Sequence, residues 1–185
     1  MLTAQDGSIF NTLPKRRPAR WKAFGMADEF RPLKNAFGKF ATGIAIATCV
    51  DANGEFRAIT VNSFTSVSLD PALVLWCLEQ KAGSYPQFME SDGYAISILN
   101  ADATALSNRF ASREPAPLTP DEYDIWETGA PLLKSRIAGF DCRIHRRHKA
   151  GDHVILIGEV VRFDSVDDAP LVYFASNYHS GIQAS

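Results

Sequence analysis

Short β-prone runs broken by turn residues dominate this chain from residue 44 onward. Ile44–Val50 is an apolar run ending at Asp51-Ala52-Asn53-Gly54, where Asn-Gly tolerates positive φ and predicts a hairpin. Phe56–Val61 returns as the second strand, Ala72–Leu78 reads as a third that is apolar on both faces, and Tyr94–Leu99 as a fourth. Phe140–His148 and His153–Phe163 read as a long hairpin turning at Ala150-Gly151, and Pro170–Ala175 supplies a last strand. Helices are few. Phe30, Leu33, Phe37 and Phe40 recur at helical spacing and predict one apolar stripe, with Gly43 as its C-terminal cap. Tyr85–Ser91 and Asp102–Ala111 are the other helical segments, while the prolines of Arg113–Thr128 predict loop. Many antiparallel strands with few helices indicate a mainly β fold, a small closed barrel with helical additions.

Composition narrows the functional classes. The chain has 185 residues, 46% hydrophobic and 22% charged, as in an ordinary globular domain. Its net charge of −2 calls for neither nucleic acid nor an anionic membrane. No apolar run approaches the ~18 residues of a membrane-spanning helix. Cys49, Cys77 and Cys142 form no CxxC pair and sit in apolar runs, so reduced, buried thiols and a cytoplasmic location are expected. Residues 1–25 carry Lys15, Arg16, Arg17, Arg20 and Lys22 against Asp6, with Pro14 and Pro18. They read as a basic, disordered leader ahead of one domain over 26–185.

Metal, nucleophilic and dinucleotide-fold chemistry find little support. His145 and His148 are three apart on a predicted strand and face opposite sides, so no metal is expected. No G-x-S-x-G elbow is present, and no GxGxxG opens a helix after a strand. The segment Thr60–Ser68 instead packs five hydroxyls and Asn62 into nine residues directly after a strand. It reads either as a polar loop closed by Asp70-Pro71 or as a ligand-facing segment. In the second reading, hydroxyls would bond a heterocycle edge and Phe64 would cover its flat face.

Ala41-Thr42-Gly43, Thr60–Pro71, Ser107-x-x-Phe110-Ala111 and Gly151-Asp152-His153 occur here in the order and spacing of the flavin reductase-like proteins. The chain resembles these FMN-binding split-barrel reductases from about Phe30 to Tyr178. The resemblance implies a homodimeric split β-barrel that binds FMN or FAD, oxidises NADH or NADPH and passes reduced flavin to a partner monooxygenase. A flavin-binding electron carrier without reductase turnover is the alternative.

By position, the resemblance implies that Thr42, Thr60, Asn62, Ser63, Thr65 and Ser66 contact the flavin, with Cys77 and Leu78 beside it. Lys81 and Ser84 fall where the family holds the phosphate, and a cation with a hydroxyl suits that anion. Arg109, Phe110 and Ala111 match the helix end that closes over the flavin, and Tyr178 keeps the tyrosine of a terminal Arg-Gly-Arg-Tyr-like run. The arginines and glycine of that run are replaced by Ala175-Ser176-Asn177. His153 matches the histidine near the nicotinamide and is the implied catalytic residue.

Overall fold

The computed structural model describes residues 30–180, and the basic leader lies outside them. In chain order the elements are α1 (Arg31–Phe37), β1 (Thr42–Gly43), β2 (Ala45–Val50), β3 (Phe56–Val61), β4 (Thr65–Leu69), β5 (Ala72–Glu79), α2 (Tyr85–Glu90) and β6 (Gly93–Leu99). They continue with α3 (Thr104–Ala111), β7 (Tyr123–Ile125), β8 (Pro131–Leu133), β9 (Arg136–Ala150), β10 (His153–Ser165), β11 (Val172–Phe174) and β12 (Asn177–His179). The fold is mainly β with helical additions.

Seven strands form one antiparallel sheet in the order β3-β2-β6-β9-β10-β5-β4. Its edge strands, β3 and β4, are joined by Asn62, Ser63 and Phe64 alone. Laid flat, seven strands would separate the edges by about 29 Å. Three linking residues reach at most about 14 Å. The sheet therefore has to roll. The Ser63 hydroxyl fastens this crossing, accepting from Cys77 N at 3.0 Å and donating to Cys77 O at 3.3 Å. No ladder joins β3 to β4, so the expected closed barrel is corrected to one left open along a seam.

The interior of the roll is filled by Ala47, Val74, Trp76, Leu78, Phe88, Tyr94, Ile96, Val154 and Leu156. Trp76 meets Phe88 and Tyr94 edge-on at 5.0 and 5.8 Å between centroids, a favourable aromatic geometry. β2 is buried on both faces. Its Ala45 and Ala47 face this interior, while Ile44 and Ile46 pack outside with Leu99, Phe110 and Leu171 under α3. The three cysteines are free; burial pushes the Cys49 thiol up to about 12 and raises those of Cys77 and Cys142.

Three expectations change. The polar run at Thr65–Leu69 is an edge strand, not a loop: its free side faces solvent, so hydroxyls occupy positions that a central strand would give to apolar residues. The α1 stripe buries no residue, and Phe37 and Phe40 remain 68% and 79% exposed. Gly43 does not cap α1; Gly38 follows that helix, and Gly43 pairs with Val172 in a small sheet.

Candidate functional site

A cleft of about 950 Å³ lies beside the seam. One wall is the edge strand β3, residues Phe56 to Thr60. A second is the end of β5 with the following turn and α2: Glu79, Lys81, Ala82, Gly83, Ser84 and Gln87. The third runs from Phe110 at the end of α3 through the Pro-rich segment to Leu118.

Each wall has a local cause. Among the described residues β3 pairs only with β2, and its other side lines the cleft. The turn after β5 is set by Ala82 N donating to Glu79 O and Tyr85 N to Ala82 O, which brings Lys81 and Ser84 onto one side. α3 is docked on β3 by the Thr60 hydroxyl, which donates to Ser107 O at 2.7 Å. Ser107 also shares a 2.9 Å hydroxyl contact with Tyr178, tying β12 to the same helix.

Five sequence-expected residues line the cleft: Thr60, Lys81, Ser84, Phe110 and Ala111. The others lie outside its walls. Asn62, Thr65 and Ser66 are exposed on the crossing and β4, and Ser63 is spent on Cys77. The Leu78 side chain is in the interior core at 1% exposure, so it cannot touch a ligand in the cleft. The Thr42 hydroxyl is buried on β1 without a hydrogen-bond partner. The Arg109 guanidinium is committed to Glu122 and to the carbonyls of Ala116 and Pro117.

His153 stands just outside, directly across the β5–β10 ladder from Glu79 of the cleft wall. It follows Gly151, whose φ of +67° belongs to the left-handed region that glycine enters without a Cβ clash. His153 Nδ1 lies 2.7 Å from the Asp152 carboxylate, and this contact holds Asp152 below the usual carboxylate range. A proton on Nδ1 shared with Asp152 leaves Nε2 as the ring's outward nitrogen.

Sequence reasoning passed over Gln80, which joins the two halves of the site. Its amide N–H donates to Asp152 O at 2.9 Å, and its side-chain Nε2 donates to Gly151 O at 3.2 Å and His153 O at 3.4 Å. The Lys81 turn and the His153 turn are therefore one bonded unit. The Phe56–Ile59 wall was also missed, because a strand's free edge has no signature in its side chains.

The donor set fits an aromatic ligand with an anionic tail. Lys81 and the Ser84 hydroxyl suit a phosphate, while Ile59, Ala82 and Phe110 supply apolar surface. The Gln87 Oε1 and Arg57 Nε atoms, on cleft-lining side chains, are buried without hydrogen-bond partners.

A small antiparallel barrel opened along one seam, with a ligand cleft beside the opening, defines the split-barrel class of cofactor-binding proteins. Within it, the chain belongs to the flavin reductase like domain family, which it matches over residues 37–181. It is 40% identical over 143 residues to the FMN reductase (NADH) SmoA of Agrobacterium fabrum, covering 77% of this chain and 81% of that one. It is 35% identical over 158 residues to the reductase component of the flavin-dependent trigonelline monooxygenase of Acinetobacter baylyi, covering 85% of this chain and 51% of that longer protein. The chain thus spans about half the length of that relative. The solved structure of the Streptomyces globisporus NADH:FAD oxidoreductase SgcE6 with NAD and FAD fragments superposes with a TM-score of 0.75 at 30% identity, covering 84% of this chain and 96% of that one.

Proposed function

We propose that this chain is an NAD(P)H:flavin oxidoreductase that reduces FMN or FAD and supplies reduced flavin to a partner monooxygenase. The observation that carries the reading is the cleft, which gathers Thr60, Lys81, Ser84, Phe110 and Ala111 from three separate segments. Family membership and the SmoA and trigonelline reductase relatives support it.

When bound, the flavin supplies the hydride-accepting chemistry. The protein's residues bind, orient and exclude water. Lys81 and Ser84 would hold the phosphate; Thr60, with β3 and Phe110, would seat the ring system. His153, its Nδ1 turned to Asp152, would present Nε2 to the nicotinamide. Anaerobic mixing of flavin-loaded protein with NADH or NADPH tests this directly. Bleaching of the flavin absorbance within seconds is expected; a flavin that stays oxidised would favour a carrier role instead.

The working form in this reading is a cytoplasmic homodimer. Along β5 and β10, Val74, Trp76, Leu78, Val154 and Leu156 face the interior. The alternate residues Leu73, Leu75, Ile155 and Ile157 lie on the outer face, half-buried, and carry His153 at their end. An apolar outer face continuous with the site suits cover by a second copy. Light scattering at micromolar concentration should give twice the chain mass of 20.3 kDa; a monomer mass would refute the dimer. Among the described residues, no helix is long and apolar enough to cross a membrane.

A further inference from the structure

We propose that Arg109 and Glu122 form a latch that fixes the Pro-rich segment 112–118 as a wall of the cleft and so sets how long a flavin stays bound. The proposal rests on the flavin reductase reading above. Residues Ser112 to Leu118 line the cleft without interruption. Pro115 and Pro117 have no N–H, so this segment has more backbone carbonyls than donors. A guanidinium is the matching group, a rigid fork of donors with no acceptor.

Arg109 fills that role from the last turn of α3. Its Nε donates to Ala116 O at 2.9 Å, and Nη2 donates to Pro117 O. The remaining face of the fork takes the Glu122 carboxylate, through Nη1 at 2.6 Å and Nη2 at 3.2 Å. Glu122 in turn accepts from Thr119 N at 2.7 Å and Thr119 Oγ1 at 3.0 Å, closing the far end of the segment. The Glu122 carbonyl accepts from Lys134 N at 2.8 Å, which anchors the latch to the body of the protein. Hydrogen bonds from Arg109 and from Thr119 N hold the Glu122 carboxyl down to about 2, so the latch stays charged through the physiological range.

The geometry gives this wall a distinct role. The other two walls are a strand and a turn bonded into the rolled sheet; the third is stitched down mainly by two side chains. α3 joins the two functions, since Ser107 receives Thr60 of the cleft two residues before Arg109 holds the loop. A stiff, preset wall removes the ordering cost of binding and slows escape. Arg109 and Glu122 are thus positioning residues, and Arg109 is not a phosphate ligand.

The test compares wild type, Glu122→Gln and Arg109→Lys. Release of FMN and of FAD is followed by stopped-flow fluorescence, and trypsin cutting after Arg113 is timed on flavin-free protein. Glu122→Gln should release flavin at least fivefold faster and raise the KM for flavin. Single-turnover NADH oxidation by the flavin-saturated variant should stay within twofold. Arg109→Lys, which keeps the charge but loses the fork, should fall between Glu122→Gln and wild type. Trypsin should cut the variants faster. Unchanged release and cutting in both variants, with unchanged thermal melting, would overturn the latch; so would slower hydride transfer with unchanged release. Wild-type protein that binds neither FMN nor FAD would sink the reductase reading instead, and the trypsin comparison would still decide whether the wall is latched.

Discussion

Replacing Lys81 or Ser84 by alanine is expected to weaken FMN by roughly ten- to more than a hundredfold while riboflavin, which has no phosphate, changes little. Both side chains line the cleft from one turn, at the end of β5 and the entry to α2. A charge-assisted contact to a phosphate is worth about 1.5–3 kcal/mol, which gives the stated range of affinity. Lys81 is exposed and Ser84 half-buried, so neither substitution leaves a hole in the core. Fluorescence titration with both ligands reads the difference. Equal loss for FMN and riboflavin would move the phosphate elsewhere, with Arg57 and Arg113 the other cleft cations to examine.

His153→Ala is expected to lower kcat/KM for NADH or NADPH at least tenfold, about 1.4 kcal/mol, and to leave flavin affinity within a few-fold. The reason is placement. His153 sits across the ladder from Glu79, outside the walls that hold Lys81, Ser84 and Phe110. Its ring is oriented by Asp152, and its backbone carbonyl accepts from Gln80. Asp152→Asn should therefore share part of the loss. Unchanged kinetics with both nucleotides would reduce His153 to a hairpin residue. Lost flavin binding in a folded variant would place it in the flavin shell.

How far the sequence could be read depended on the physical signal each element carries. β2, β3, β5, β6 and β10 were legible as apolar, β-prone runs, and the Asn53-Gly54 and Ala150-Gly151 turns as sites for positive φ, found at +79° and +67° for the glycines. β9 begins at Arg136, four residues before its expected start, because Arg136 and Gly139 carry no strand signature. Arg136 is held there by Asp124 and Asp164, partners 12 and 28 residues away. β7, inside the expected loop, is only three residues long. Of the residues the resemblance implied, Thr60, Lys81, Ser84, Phe110 and Ala111 line the cleft. The Gln80 bridge and the Arg109–Glu122 pair were not legible: both depend on contacts between segments brought together by the roll, and no local periodicity records them.

The three-residue crossing between β3 and β4 carries a consequence for how the chain is made. Neighbours in sequence, these strands end at opposite margins of the sheet, and β9 with β10 lies between the halves they belong to. As the chain emerges from the ribosome, β2–β3 can pair at once and β4–β5 can pair at once, but nothing yet stitches the two hairpins together. That stitch arrives only when the hairpin ending at Ser165 has been synthesised. Until then β5 has one unpaired edge and β6 another, each awaiting a late partner. The nascent protein is therefore most prone to wrong strand pairing in the interval before residue 165, and the two ladders that join the halves, β6 to β9 and β10 to β5, form only after it.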